Sequence, residues 1–344
     1  FMINSFYIYI LLIFILNEVI LRKNFFFDRI EFSKHKSFVN SKKIPTAGGI
    51  FLLSFILIFF KNLSLLSFFY LLLIFLAGLG SDRVKNFSPK LRLLFQTIIT
   101  YLFLIDNNLF IIDVRIESVN FLLINFQEIS VIFTIFCFIV LVNGTNFIDG
   151  TNLNTIGYYI LVYSIIFYLS NKYNLDLKFV FHKKIILFLI FLYILNFLNK
   201  TQLGDSGSYL IGFFTAFYII EFVNSNNLVS PYFAVLLLWY PCFENLFSIL
   251  RKIYQKKSVS SADNFHLHHS IYLLLKIKNF KFPNNLTGLF INLINFLILI
   301  LGAIYFNSTI KIIVIISISI FGYILIYNFL IRYTLSKKFI KNIK

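Results

Sequence analysis

Acid is what this chain has least of. Among 344 residues only 14 are Asp or Glu, against 31 Lys or Arg, and charges of both signs make up 13%. With 59% hydrophobic residues and a mean hydropathy of +0.85, too little polar surface exists to cover a soluble core, which excludes an ordinary globular domain. Cysteine is nearly absent. Cys137 and Cys242 both fall in apolar runs, so a disulfide framework is not supported and the redox compartment stays undetermined. No low-complexity linker and no solenoid or transporter repeat interrupts the chain, and one integral-membrane domain over residues 1–344 is expected. The net charge of +17 has two readings, a nucleic-acid surface or positive-inside membrane topology. The cations sit in short loops between apolar runs, which favours topology and leaves no nucleic-acid partner.

What is there is apolar sequence in lengths that cross a bilayer, about 20 residues each. Runs lie at 2–21, 46–60, 63–80, 91–105, 129–145, 154–170, 184–199, 208–223, 232–250, 286–306 and 309–331. The expected fold is therefore an all-α polytopic membrane protein of about eleven transmembrane helices, the N-terminus outside and the C-terminus cytoplasmic. The second run is short enough to be re-entrant. On this arrangement the inner loops hold 24 of the 31 Lys and Arg, as the positive-inside rule requires. No small-residue cleavage site follows the first run, so it is expected to stay as a signal anchor. Between 106 and 128, Asp113, Arg115 and Glu117 alternate with Ile112, Val114 and Ile116, and period two predicts a small amphipathic hairpin.

The few carboxylates can be audited one by one. Asp82, Asp149, Asp205 and Asp263 all fall in expected inner loops, three of them at the end of a run. Asp205 lies in Thr201-Gln-Leu-Gly-Asp-Ser-Gly-Ser208, between two apolar runs. A carboxylate there is costly unless a metal, a cation or water compensates it. The amides of Gly204, Ser206, Gly207 and Ser208 are positioned to donate to phosphate where a helix begins. In Asn143-Gly-Thr-Asn-Phe-Ile-Asp-Gly-Thr-Asn152, Asn143, Asn146, Asp149 and Asn152 recur every three residues, a step that keeps side chains near one helix face. Their oxygens suit a hard cation such as Mg²⁺; an N-cap or turn cluster is the bland alternative. Arg92, after Asp82, is able to fork onto a phosphate. Asp263-Asn-Phe-His-Leu-His-His269 reads as a diphosphate clamp through His266, His268 and His269, as a transition-metal site, or as a surface cluster. Gly48 and Gly49, after Pro45, serve close helix packing or phosphate contact. Glu244 sits well inside an apolar run, three residues after an expected kink at Pro241, as a site residue or the partner of Asn245 or a cation.

In order, these motifs resemble the polyprenyl-phosphate N-acetylhexosamine-1-phosphate transferase family, relatives of the phospho-N-acetylmuramoyl-pentapeptide transferases. From Lys43 to His269, the family's Pro-x-x-Gly-Gly is matched by Pro45, Gly48 and Gly49, and its Arg-Leu-x-x-Gln by Arg92, Leu93 and Gln96. Its Asn-x-x-Asn-x-x-Asp-Gly falls on Asn143, Asn146, Asp149 and Gly150. Gly204, Asp205, Gly207 and Ser208 match its Gly-Asp-x-Gly-Ser, and His266, His268 and His269 its His-x-His-His. Two positions depart. The family usually has adjacent aspartates where this chain has Ser81 and Asp82, and a Gly-Leu pair where it has Leu153 and Asn154.

The resemblance implies a Mg²⁺-dependent enzyme, with Mn²⁺ as a substitute, in the bacterial inner membrane with its active site on the cytoplasmic face. It would move a sugar 1-phosphate from a UDP-N-acetylhexosamine to a polyprenyl phosphate and release UMP, most like the N-acetylglucosamine branch. Asp82, Asp149 and Asp205 would be catalytic, with Asp205 and Asp149 as metal ligands. Lys43, Arg92, Asn143, Asn146, Asn152, Gly204, Ser208, His266, His268 and His269 would bind substrate. A homodimer is the oligomer considered. The alternatives are a membrane transporter and a catalytically impaired family member, the latter on account of Ser81.

Overall fold

The computed structural model describes residues 2–26, 44–60, 63–84, 88–176, 182–258 and 265–341. Lys43 and Asp263 lie outside the described residues. Among the described residues the chain forms α1 (Met2–Lys23), α2 (Gly48–Phe59), α3 (Leu65–Arg83), α4 (Pro89–Asn107), α5 (Glu117–Asn125), α6 (Gln127–Ile148) and α7 (Asn154–Tyr173). These are followed by α8 (His182–Phe197), α9 (Gly204–Asn224), α10 (Pro231–Leu237), α11 (Trp239–Tyr254), α12 (Leu267–Ile277), α13 (Pro283–Ile304) and α14 (Thr309–Lys341). Every apolar run read from the sequence is helical. Local chemistry marks several starts: Ser64 caps α3 by accepting from Ser67 N at 3.0 Å, and Pro opens α4, α10 and α13, where a missing N–H costs nothing.

By length and apolarity six described helices can cross a bilayer, or seven if α10 and α11 form one bent span. The protein is a multi-pass membrane protein. The expected eleven crossings are not reached by that measure: α2, with 12 residues, reaches about 18 Å, and α8 has 16. The bend of 74° falls between Leu237 and Trp239, not at Pro241. Pro241 lies in the first turn of α11, where its missing N–H costs nothing. The expected hairpin is also corrected. Asp113 Oδ1 accepts from Arg115 N and Asn120 Nδ2, both at 2.7 Å, and the chain turns there into the short helix α5. Six alternating residues are too few to outweigh that turn.

The core is built around α9, apolar on all sides and buried along most of its length. Helices α2, α3 and α6 pack on it, and Phe213 meets Phe103 and Phe138 edge-on at 5.0 and 4.9 Å. At one end the starts of α2, α4, α9 and α12 meet the last turns of α3 and α6. At the other, Arg115 donates to the carbonyls of Asn307, Asn227 and Val229 and to Thr309 Oγ1, tying three turns together.

Candidate active site

Gly204 opens α9 with φ +71°, a left-handed conformation that favours glycine. A Cβ there would also lie 2.9 Å from Asp82 Oδ2. The reason for that closeness is a cap: Asp82, buried at the end of α3, accepts from Asp205 N on Oδ1 (3.1 Å) and from Ser206 N on Oδ2 (3.2 Å). Its negative charge suits the positive end of the helix. Of the four amides expected to meet phosphate, that of Ser206 meets a carboxylate. The paired glycines also resolve to packing, since Gly48 N and Gly49 N donate to the carbonyls of Gln202 and Leu203. A Cβ on Gly49 would sit 2.6 Å from Gly207 N.

Asp205 points away from this cap. Ser81 Oγ donates to its Oδ2 at 2.6 Å, and Arg92 Nη1 donates to Ser81 Oγ at 2.7 Å, standing 4.0 Å from the same Asp205 oxygen. The hydroxyl at 81 is thus a bridge between a cation on α4 and the carboxylate on α9. Asn143 Nδ2 donates to Gln96 Oε1 (2.8 Å) and Asn146 Nδ2 to Ser208 Oγ (3.0 Å), which in turn donates to the Asp205 carbonyl (3.1 Å). Asp149 ends α6 half-buried. Asn152 faces elsewhere: its amide group donates to Asn199 and Asn285, at 2.7 and 2.8 Å, on the far flank formed by α8 and α13. Next to it Leu153 adopts φ +68°, which gives a backbone reason for the glycine usual at that position.

The histidines stand against the Asn-rich turn. A Cβ on Gly150 would fall 2.1 Å from His268 Nε2, so only glycine leaves room for that ring. His268 is fully buried, neither of its ring nitrogens has a hydrogen-bond partner, and its ring lies 4.1 Å from that of His269. Burial, reinforced by His269 and His266, holds its pKa well below the ordinary histidine value. It is neutral at pH 7, so one nitrogen donates and the other accepts. His266 caps α12, lies 5.1 Å from the Phe147 ring, and shares a hydrogen bond with Glu244, the buried carboxylate whose partner was open. Asn245 instead donates to the Val140 carbonyl at 2.9 Å.

The structure thus brings Asp82, Asp205, Gly204, Ser208, Arg92, Asn143 and Asn146 together around the start of α9. It sets His266, His268 and His269 beside Gly150, and turns Asn152 toward α8 and α13. Ser81 as a bridge and Glu244 with Tyr323 are contributions that motif reading did not assign. Among the described residues no three His, Cys, Asp or Glu side chains form a metal cage. The donor set nevertheless fits Mg²⁺, which keeps several waters and takes one or two carboxylates with substrate phosphates. Asp205, with its side chain 15% exposed, has the chemistry such a cation takes.

Residues 64–223 match the family described as "Glycosyl transferase family 4". The chain is similar to a "Probable undecaprenyl-phosphate N-acetylglucosaminyl 1-phosphate transferase" of Bacillus subtilis (strain 168), 28% identical over 112 residues, 32% of this chain and 30% of that relative. It is also similar to an "Undecaprenyl-phosphate alpha-N-acetylglucosaminyl 1-phosphate transferase" of Thermotoga maritima, 25% identical over 289 residues, 79% of this chain and 84% of the relative. The segment that matches glycosyl transferase family 4, residues 64 to 223, carries Asp82, Arg92, the Asn-rich turn and Asp205.

Proposed function

We propose that this protein transfers an N-acetylhexosamine 1-phosphate unit from a UDP-sugar to a polyprenyl phosphate, releasing UMP, at the cytoplasmic face of a bacterial inner membrane. The observation that carries the reading is the Asp205 carboxylate, held by Ser81 and Arg92 at the start of a buried helix. The activities named for both relatives support the carrier and the sugar class. Charge asymmetry supports the cytoplasmic side.

The physical problem is to bring two polyanions together, so positioning and electrostatics dominate. When bound, Mg²⁺ supplies positive charge to the diphosphate oxygens; Asp205 and Asp149 would hold it. Arg92 adds a fixed cation beside Asp205, and Ser81 keeps the two apart while orienting the carboxylate. His266, His268 and His269 line the diphosphate side, with His268 as a neutral donor. The phosphate of the lipid, whose second pKa is about 6, is largely a dianion at neutral pH and needs no strong base. One of its oxygens attacks the β-phosphorus. A new P–O bond forms as the bond from that phosphorus to the bridging oxygen breaks, and the electron pair leaves with UMP. Asp82, with both oxygens engaged by α9 amides, acts as the cap that fixes Asp205 rather than as a nucleophile.

The test uses purified protein in nanodiscs with labelled UDP-N-acetylglucosamine or UDP-N-acetylgalactosamine and undecaprenyl phosphate. Lipid-linked product and UMP should appear together and stop on adding EDTA. Turnover that survives the chelator would remove the metal role, and an inert wild-type protein would favour the impaired family member.

A further inference from the structure

We infer that Glu244 is a positioning residue that fixes the tautomer and orientation of His266, so that this imidazole presents Nε2 to the substrate; the inference rests on the transferase reading above. Glu244 lies in α11 and is 1% exposed. A carboxylate so deep in an apolar helix requires compensating donors. It has three. Oε1 lies 2.9 Å from His266 Nδ1 and accepts from Leu267 N at 3.4 Å, while Oε2 accepts from the Tyr323 hydroxyl at 2.6 Å.

Leu267 N and the Tyr323 hydroxyl already donate to the two Glu244 oxygens, so the side chain acts as an acceptor, Nδ1 carries the proton toward it, and Nε2 is left on the opposite side of the ring. The ring plane is fixed as well. Phe147 stands at 5.1 Å and His268 lies nearly parallel at 5.6 Å, with 6° between the planes. Tyr323 is itself held by Phe243 and Phe247, at 4.9 and 5.4 Å. Three elements far apart in sequence, α6, α11 and α14, therefore converge on one imidazole. A purely structural staple of α12 is the competing account, since Glu244 also receives Leu267 N. That contact is the longest of the three, and Tyr323 adds nothing to a helix cap. The tract then divides its work between an oriented His266 and a buried neutral His268.

Two measurements test this. In histidine-¹⁵N-labelled protein in nanodiscs near pH 8, the His266 signal is assigned by its loss in His266→Gln. The proton should reside on Nδ1, and Glu244→Leu should move it to Nε2; a wild-type His266 with its lone pair on Nδ1 overturns the inference whether or not the protein turns over UDP-sugar. For turnover, Glu244→Gln should lower kcat/KM about 10- to 100-fold, the usual effect of losing a residue that orients a histidine ligand. The same substitution in a His266→Gln background should cost nothing further. A full second loss there would mean that Glu244 acts independently of His266. Tyr323→Phe, the milder variant should Glu244→Gln not fold, is expected to lose several-fold in kcat/KM with its melting temperature little changed. Wild-type kcat/KM in that variant would argue against the relay.

Discussion

Replacing Asp82 by Asn separates a helix cap from a catalytic base. The carboxylate accepts two backbone N–H groups of α9, from Asp205 and Ser206. An amide keeps one acceptor oxygen and turns an NH₂ toward the other N–H. The loss is one charge-assisted capping bond, about 1 kcal/mol, and the buried amide left without a partner adds about 1–3 kcal/mol. The sum is roughly 2–4 kcal/mol, equivalent to about 3–6 °C of melting temperature in a chain of this size. Circular dichroism at 222 nm in detergent reads this directly. Transfer activity should fall with it, because Asp205 is displaced, while the pH dependence of the residual activity keeps its shape. An unchanged melting temperature combined with abolished turnover would refute the reasoning and return Asp82 to substrate chemistry.

Three further outcomes follow from the same geometry. Gly150→Ala places a methyl group 2.1 Å from His268 Nε2, so a destabilisation of about 1–3 kcal/mol and a loss of transfer activity are expected in melting and turnover assays. His268 is held below its ordinary value by burial, so below about pH 6.5 the unfolded chain binds more protons than the folded one. Melting temperature should drop as pH falls from 7.5 to 5, and His268→Gln should flatten that slope. Arg115→Ala removes a clasp at the end of the bundle opposite the site, so thermal stability should decline while KM for the UDP-sugar stays at the wild-type value.

Much of the helix content was legible because apolar runs of bilayer length have few other solutions. Helix α12 and the break before α11 were not, since the former is short and the latter carries no proline at the bend itself. The five motifs named the residues of the candidate site, yet several contacts within it run across the bundle. Asp82 caps a helix that begins 122 residues later, and Glu244 finds Tyr323 79 residues away. No local periodicity records such pairs. Asn152 shows the converse: it keeps the three-residue step of Asn143 and Asn146, but α6 ends at Ile148, so the helical face on which that step relied no longer exists at position 152. Ser81, a plain departure from the family pattern in sequence, became intelligible only as the hydroxyl between Arg92 and Asp205.

The central claim is that Asp205 organises metal-dependent phosphoryl transfer. The most direct measurement compares wild type and Asp205→Asn, matched for melting temperature, for UMP release from UDP-N-acetylglucosamine with undecaprenyl phosphate across a Mg²⁺ titration. The account expects saturable Mg²⁺-dependent release in the wild type and none above background in the variant. Release by Asp205→Asn at the wild-type rate and with the same Mg²⁺ dependence would contradict it.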